Sequence, residues 1–321
     1  MVNSNSKLGR SRERSTLVIG VVNNMPDGAL QTTEQQFCEL LKAASLNTPI
    51  CLRYFSLPGI FRTARAREYV SEYYQSIDEV DPTELDGLIV TGTEPRTPLL
   101  EDEPYWPALK ALVDEVSECA IPTVWSCLAA HAAVLYLDKI RRRPLEEKLS
   151  GVFHCRKLID HEILNNGPTH WLVPHSRQNE LVEEELLSNG YRILSRSAQA
   201  GADIFVSERD VLFVFLQGHF EYDRGALFRE YRRDVRRFLA GERDYYPAMP
   251  RGYFSSQATA ALTVFQERAL NNRSTDLLLD FPQDLGEFAW GWHDQAVRLY
   301  ANWLGHIANT RNVPRVTRSI A

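Results

Sequence analysis

The sequence predicts a three-layer α/β domain, in which helices cover both faces of a parallel sheet. Two observations lead to this prediction. Short apolar runs rich in β-branched residues alternate along the chain with longer segments of helical spacing. The apolar runs are also continuous instead of alternating with polar residues, which is typical of strands buried on both faces. In such a fold functional residues gather at the carboxyl ends of the strands, so the site is expected there.

The individual elements are predicted from their residue patterns. Strands are indicated by β-branched and aromatic residues, and helices by apolar residues three or four positions apart. The predicted strands are 16–22, 50–55, 85–90, 121–125, 191–194, 204–207 and 211–216, and the predicted helices are 33–44, 106–116, 129–137 and 227–239. Tight turns follow Val22, Val90, Trp125 and Leu216. Side chains on these four turns are therefore expected to converge on one rim.

The ends of the chain are expected to differ from its centre. Residues 1–15 are rich in Ser and Arg without an apolar core, which predicts a disordered tail and no signal peptide. Residues 16–321 are predicted to form a single α/β domain. Within it, residues 246–321 carry aromatic residues at helical spacing and are interpreted as a C-terminal extension packed on the same domain.

Composition excludes several classes of protein. The chain has 321 residues, 44% hydrophobic and 24% charged, with a formal net charge of -6. A nucleic-acid-binding protein usually has the opposite charge balance, so that class is discounted. The sequence contains no run of eighteen apolar residues, so no membrane span is predicted. The densest basic run, 141–143, is interpreted as a solvated helix end or loop. The five cysteines are irregularly spaced without a CxxC pair, so neither a disulfide framework nor a zinc site is expected. We expect a cytoplasmic protein without a metal.

Cys127 is the candidate nucleophile. It stands where a buried strand meets a helix of small residues. The N–H groups at the start of that helix can hold a developing oxyanion, and the helix dipole favours a thiolate. A buried structural cysteine is the alternative interpretation, and Cys127 alone does not decide between them.

His219 and Glu221 favour the catalytic interpretation of Cys127. They follow the last predicted strand, and Gly218 allows a sharp turn before them. Two residues apart in extended chain, they point to the same side. Glu221 can therefore orient the imidazole while the imidazole faces the thiol, as nucleophilic catalysis requires.

Several sequence blocks resemble the homoserine O-acyltransferases of methionine biosynthesis, which are relatives of the class I glutamine amidotransferases. The similar blocks, spread over about residues 16–305, are NNMPDGALQTTEQQF (23–37), LDGLIVTG (85–92), YW (105–106), WSC (125–127), LEEKLSGVF (145–153), VPHSR (173–177), QGHFEYD (217–223), EYRRDV (230–235) and WHDQAVRLYANWL (292–304). The resemblance implies a flavodoxin-like, class I glutamine amidotransferase-like fold. It also implies that Cys127 carries an acyl group as a thioester, with His219 as general base and Glu221 as its partner.

The resemblance also implies the substrates and the residues that bind them. Lys148 and Ser176 match substrate-contacting positions, and Arg233 matches an arginine that binds the carboxylate of the amino acid. A guanidinium fork suits a carboxylate, which supports that last role. Without the resemblance, Lys148 and Arg233 could equally form surface ion pairs. His175 is interpreted as a hydrogen-bonded structural residue. The implied substrates are acyl-CoA and homoserine or a related hydroxy amino acid, with no further cofactor, and a homodimer is left open.

The sequence departs from the family pattern at a few positions. Asp27 and Gly28 stand where the family has a lysine after its Met-Pro pair. Leu128 and His131 replace a tryptophan and a glutamine after the nucleophile, and Phe220 replaces a proline. These changes put the donor and acceptor pockets in doubt while the three catalytic residues are kept.

Arg96 matches the loop position that separates succinyl from acetyl users in the family. A cation there could pair with the free carboxylate of a succinyl group, or it could point to solvent or pair with Glu94. We therefore expect an enzyme that transfers an acyl group, succinyl rather than acetyl, to homoserine. The two alternatives are a glutamine amidotransferase-like cysteine hydrolase and a non-catalytic relative.

Overall fold

The computed structural model describes residues 16–46, 48–79, 81–283, 285–288 and 290–311, and the predicted tail 1–15 lies outside them. The strands are β1 (Leu17–Val22), β2 (Ile50–Ser56), β3 (Gln75–Ser76), β4 (Gly87–Val90), β5 (Thr123–Ser126), β6 (Arg143–Lys157), β7 (His170–Glu180), β8 (Arg192–Ser197), β9 (Gly201–Ser207) and β10 (Phe213–Leu216). The α-helices are α1 (Leu30–Ala44), α2 (Ala64–Tyr73), α3 (Trp106–Glu118), α4 (Leu128–Asp138), α5 (Glu183–Ser188), α6 (Ala226–Leu239), α7 (Ser256–Asn271) and α8 (His293–Thr310).

The strands form one sheet in the order β3-β2-β1-β4-β5-β10-β9-β8-β6-β7. The six strands from β3 to β10 run parallel. Helices α1 and α8 share an apolar cluster with one face of this half, and α3 and α4 share a cluster with the other. The predicted three-layer α/β fold is confirmed.

The other half of the sheet is antiparallel, and here the expectation of a parallel sheet is wrong. β9 pairs antiparallel with β10 and with β8, and β6 pairs antiparallel with β8 and β7. The physical reason lies in the connections, because a parallel crossover needs a dozen or more residues. Only a few residues separate β8, β9 and β10 in sequence, which is enough for hairpins and no more.

The two longest strands, β6 and β7, were not predicted. Charged residues interrupt both of them, and much of β6 is exposed or partly exposed. A strand with one solvated face and a broken apolar pattern gives a weak hydrophobic signal, so periodicity does not find it. These two strands carry Lys148 and Ser176.

The C-terminal part of the chain contributes to more than one cluster of buried side chains. Helices α6 and α7 enclose an apolar cluster between them, in which Val235 packs with Leu262. Helix α8 returns to the sheet, where Leu299, Tyr300 and Trp303 are completely buried. Among the described helices, none combines the length and apolarity that a bilayer crossing requires.

The parallel half of the sheet brings four strand ends together, as predicted. The strands β1, β4, β5 and β10 are neighbours. The amide of Asn24 donates to the Thr91 hydroxyl over 2.9 Å, which joins the turns after β1 and β4. The amide of Cys127 donates to the carbonyl of Leu216 over 2.7 Å, which joins the ends of β5 and β10.

Candidate active site

Cys127 sits at the sharp turn between β5 and α4. Its backbone has φ 51° and ψ -113°, a conformation that residues other than glycine rarely adopt. Such strain persists only where the surroundings impose it, and it is concentrated at functional sites. Here the strain turns the thiol out at the end of the strand while the next residue begins the helix. The side chain is partly exposed and forms no disulfide.

Leu128 and Gly92 border the space beside this thiol. The first N–H groups of a helix have no partner within the helix, so the Leu128 amide at the start of α4 can donate to an oxyanion. A Cβ atom on Gly92 would lie 2.9 Å from the Leu128 nitrogen and 2.8 Å from its Cβ. Only glycine therefore lets the turn after β4 approach the start of α4 so closely.

His219 and Glu221 form the predicted pair. His219 Nδ1 lies 2.7 Å from Glu221 Oε1, and both side chains are buried. This contact leaves Nε2 for the thiol, and Cys127 is near enough to raise the pKa of the imidazole through its charge and hydrogen bonding. The two residues lie in a turn, not in the extended chain that was expected, because Tyr222 donates its amide to the His219 carbonyl. The pairing is as predicted, although the backbone reason is different.

The charges around His219 favour its protonated form. Burial alone would lower its pKa, but the negative charges of Cys127 and Glu221 raise the pKa of His219 well above its ordinary value. The ring also stacks on Tyr222, with centroids 4.2 Å apart, and its backbone amide donates to the Pro174 carbonyl over 2.8 Å. The base is thus held by side-chain, stacking and backbone contacts.

Three of the four residues expected to bind substrate meet around two carboxylates of α6. Lys148 Nζ lies 2.9 Å from Asp234 and 3.6 Å from Glu230. The hydroxyl of Ser176 donates to Glu230, and Arg233 Nη2 lies 3.1 Å from Asp234. We call these five residues the charged cluster.

The charged cluster adjoins the triad. The Tyr222 ring stacks on His219 and its hydroxyl donates to Glu230, so one side chain joins the two groups. Burial alone would raise the pKa of Glu230, but Lys148 and Arg233 lower it below its ordinary value. The cluster therefore presents cations and carboxylates side by side, a combination that suits an amino acid zwitterion.

Glu230 and Asp234 were missed from the sequence as members of the site. Both lie within the EYRRDV block, four residues apart and on either side of Arg233. Carboxylates at that spacing on a helix are usually solvated surface residues. Their burial depends on β6 and β7 lying beside α6, and those strands were not predicted.

Within the part of the chain that the structure describes, Arg96 contacts neither the triad nor the charged cluster. Its guanidinium carbon lies 4.4 Å from the ring centre of Phe61, and the side chain is exposed. Glu94, offered above as an alternative partner, instead forms an ion pair with Arg237, with contacts of 2.5 and 2.9 Å. The Arg237 hydrogen bond, against burial, lowers the pKa of Glu94. The donor role of Arg96 stays a prediction.

A buried arginine stands beside the turn that lacks the family's lysine. Arg62, from the loop after β2, donates to the carbonyls of Met25 and Asn23. It also lies 3.4 Å from Asp27, whose carboxylate accepts from the Thr63 amide over 2.9 Å. Positive charge is therefore present at this turn, but the neighbouring Asp27 balances it.

A second buried group of polar residues lies behind the catalytic turn. Ligand atoms of Cys155, His175 and Asp203 lie within 4.8 Å of one another, a spacing that a metal ion would also fit. The positive charge that balances the Asp203 carboxylate comes from Arg177, which is itself buried. Burial raises the pKa of Asp203 to about 7, opposed by hydrogen bonds from Ser195 and Cys155 and by Arg177. His175 was interpreted as a hydrogen-bonded residue, but neither of its ring nitrogens has a hydrogen-bond partner among the described residues, and Nε2 lies 3.4 Å from the Asp203 carboxylate.

This buried group supports the turn that carries the base. The Gln217 amide donates to the Asp203 backbone carbonyl over 2.9 Å, and a Cβ atom at Gly218 would lie 2.9 Å from the Asp203 carboxylate, so the turn packs closely against this group. The side chain of Gln217 in turn lies 3.1 Å from Nε2 of His131 on α4. The base-bearing turn and the nucleophile-bearing helix are thereby joined through buried side chains.

The family model and the relatives that match this chain carry the same description. A family model described as homoserine O-succinyltransferase matches residues 2–313. A protein of Bradyrhizobium japonicum named homoserine O-succinyltransferase is 46% identical over 301 residues, which cover 94% of this chain and 93% of that protein. A protein of Methylorubrum extorquens with the same name is 45% identical over 296 residues, covering 91% and 88%.

Solved structures resemble the chain in fold. A glutamine amidotransferase from Thermotoga maritima aligns with a TM-score of 0.51 at 13% identity, covering 91% of this chain and 97% of that one. A glutamine amidotransferase from Methylobacillus flagellatus aligns with a TM-score of 0.51 at 14% identity, covering 91% and 94%. At such low identity the likeness concerns the fold alone, and it agrees with the fold class predicted above.

Proposed function

The chain belongs to the homoserine O-succinyltransferase family, and from that premise we propose that it transfers a succinyl group from an acyl-CoA to the hydroxyl of homoserine. The observation that carries the proposal is the position of a Cys127–His219–Glu221 triad beside the charged cluster. The triad supplies a nucleophile and its base, and the cluster supplies groups that recognise an amino acid.

The first half-reaction moves the succinyl group to the enzyme. The Cys127 sulfur attacks the carbonyl carbon of the donor thioester and forms a new S–C bond. The Leu128 amide is placed to stabilise the negative charge on the carbonyl oxygen. When the tetrahedral intermediate collapses, the bond to the sulfur of coenzyme A breaks, and protonated His219 gives its proton to the leaving thiolate.

The second half-reaction moves the group to the acceptor. Neutral His219 takes the proton of the homoserine hydroxyl as the oxygen attacks the thioester carbon. A new O–C bond forms, the bond to Cys127 breaks, and the proton returns to the Cys127–His219 pair. Glu221 holds the imidazole in one tautomer throughout, because it accepts from Nδ1.

The charged cluster is the proposed acceptor site. Arg233 is held by Asp234 and keeps part of its guanidinium exposed, with 36% of the side chain accessible, so donors remain for the α-carboxylate. Glu230 and Asp234 are the counterparts for the α-ammonium group. Lys148 and Ser176 fix the position of these carboxylates. No cofactor other than acyl-CoA enters the proposed reaction.

We also propose that the protein acts in the cytoplasm. None of the five cysteines, all of which the structure describes, forms a disulfide, as expected in a reducing compartment. The homodimer left open by the sequence stays a prediction.

A glutamine-hydrolysing enzyme is the second candidate function. The solved structures that share the fold are glutamine amidotransferases, and the same triad could attack an amide. In that reaction water would be the acceptor, and the charged cluster would have no evident role as an amino acid acceptor site.

Intact-mass measurement after incubation with succinyl-CoA, acetyl-CoA or glutamine tests the proposal. We expect an adduct of one succinyl group on the wild-type protein, lost on addition of homoserine with formation of O-succinylhomoserine. Cys127→Ala should form no adduct, because it removes the acceptor sulfur. Cys51→Ala is the matched control, since that thiol is exposed and its loss should change nothing. Succinylation of Cys127→Ala, or ammonia release from glutamine without succinyl transfer, would contradict the proposal.

A further inference from the structure

The three consecutive arginines 141–143 do not share one environment. Arg141 lies 2.7 Å from Glu101, and Arg143 lies 2.8 Å from Glu180, and both side chains are more than 60% exposed. These two are solvated, as the sequence suggested, although Arg143 begins β6 and does not lie in a loop. Arg142, between them, is half-buried.

The Arg142 guanidinium has few partners among the described residues. Its Nη2 donates one long hydrogen bond, of 3.5 Å, to the Pro98 carbonyl. Among the described residues, no carboxylate lies within ion-pair distance of Arg142. Two carboxylates influence it from a greater distance, Glu103 and Glu101. One oxygen of Glu103 already accepts from the amides of Arg96 and Thr97, over 2.5 and 2.7 Å, and Glu101 is paired with Arg141. Arg142 therefore has several N–H donors available.

Arg142 lies on the nucleophile's side of the molecule. Its guanidinium contacts Pro98 in the loop after β4, and the same loop meets Leu128, next to the nucleophile, at Gly92. Burial lowers the pKa of Arg142, while Tyr105, Glu103 and Cys127 raise it by electrostatic attraction, which places the thiol within the reach of its charge. A partly desolvated cation without a close counter-ion is unfavourable in the absence of ligand. Such groups in a site are candidates for binding an anion.

We propose that Arg142 binds the distal carboxylate of the succinyl group, and so selects a dicarboxylic acyl donor. The inference rests on the proposed function, because it names the residue that recognises the acyl group carried by Cys127. A guanidinium fork matches a carboxylate in bidentate geometry, and the pair gains strength where water is partly excluded. An acetyl group has no such carboxylate and leaves the cation unpaired.

The phosphates of coenzyme A are the other anions that this arginine could meet. Succinyl-CoA and butyryl-CoA carry the same coenzyme and the same four-carbon chain, and they differ in the terminal carboxylate. The ratio of their acylation rates therefore reports the carboxylate and cancels any contribution of the phosphates.

The experiment measures acyl-enzyme formation without homoserine, by quenched intact mass, in wild type and in Arg142→Met, Arg142→Lys, Arg141→Met and Arg96→Met. We expect Arg142→Met to lower the succinyl-to-butyryl rate ratio by roughly tenfold or more, on the scale of a charge-assisted hydrogen bond. Arg142→Lys should lower it less, because the charge stays while the fork is lost. Arg141→Met removes a neighbouring exposed cation and should leave the ratio unchanged.

Three results would overturn the inference. One is an equal loss with both donors in Arg142→Met, which would indicate the phosphates or the fold. The second is an unchanged ratio. The third is a larger shift in Arg96→Met than in Arg142→Met, which would return donor selection to Arg96.

The butyryl rate serves as the internal check on folding, and Arg142→Lys carries the test if Arg142→Met does not fold. A wild type that forms no acyl-enzyme with any donor would instead contradict the proposed function itself.

Discussion

The charge on His219 depends on what Cys127 carries. In the free enzyme the pKa of His219 is held well above its ordinary value by Cys127 and Glu221, against burial. Acylation of the sulfur removes one of these two negative influences. The imidazole then loses its proton more readily, at the stage where it must accept one from the hydroxyl of the acceptor. One side chain can thus serve as acid in the first half-reaction and as base in the second.

This coupling predicts that Cys127→Ala lowers the pKa of His219. The variant removes the thiol and leaves Glu221 as the remaining anion beside the ring, so the titration midpoint should move to lower pH. The measurement is a ¹H–¹⁵N or ¹H–¹³C NMR titration of the His219 ring. Cys51→Ala, which changes an exposed thiol, should titrate like wild type. Identical midpoints in all three proteins would show that Cys127 does not influence the base.

The candidate catalytic residues are easier to recognise in the sequence than the residues that hold them. Cys127, His219 and Glu221 stand at strand ends, and a strand end is visible as the point where an apolar run stops. Arg142 was interpreted as solvated because it belongs to a run of like charges, and nothing in a run of three arginines distinguishes the middle one. Its burial arises from the packing of the loop after α4 against residues around Pro98, which no local pattern encodes.

At the scale of elements, the close approach of two segments shapes the site. The turn after β4 meets the first residue of α4 at Gly92, where a side chain would collide with Leu128. Because these segments belong to neighbouring strands β4 and β5, their distance is set by the sheet. The space between them is where the oxyanion is expected to form.

Gly92→Ala should therefore slow acyl-enzyme formation by roughly tenfold or more, on the scale of losing an oxyanion-hole donor. The added methyl group must push the turn away from the Leu128 amide, which lies 2.9 Å from its position. The measurement is the rate of the first half-reaction together with the thermal unfolding midpoint. Gly305→Ala is the matched control, since no atom lies within 4 Å of its added Cβ. Unchanged acylation in folded Gly92→Ala would exclude this space from the mechanism.

The parallel half of the sheet was predictable because its strands are buried on both faces and read as apolar runs. Helices α1, α3, α4 and α6 were found within a few residues of their observed ends. The antiparallel half was not anticipated. Its strands β8 and β9 were predicted in part, at 191–194 and 204–207, but their direction depends on the short connections between them. The strands β6 and β7 expose charged residues on one side.

At the scale of the whole molecule, the C-terminal segment completes the core. Helix α8 packs on α1 and covers one face of the sheet. A Cβ atom at Gly87 in β4 would lie 3.0 Å from the Trp303 ring, so strand and helix are in direct contact. The single domain predicted over residues 16–321, with 246–321 packed on it, stays a prediction.

Trp303→Ala is predicted to destabilise the whole domain in a single step. The side chain is completely buried between α8 and the sheet, and its loss should lower the free energy of unfolding by about 3–5 kcal/mol. If α8 belongs to the same cooperative unit as the triad, circular dichroism and the accessibility of Cys127 to an alkylating reagent should follow one shared transition in urea. Leu279→Ala is the control, because Leu279 is 89% exposed in the same C-terminal segment and should change the free energy by no more than about 0.5 kcal/mol. Two separate transitions in Trp303→Ala, with Cys127 protected through the first, would show instead that the C-terminal segment unfolds independently of the site.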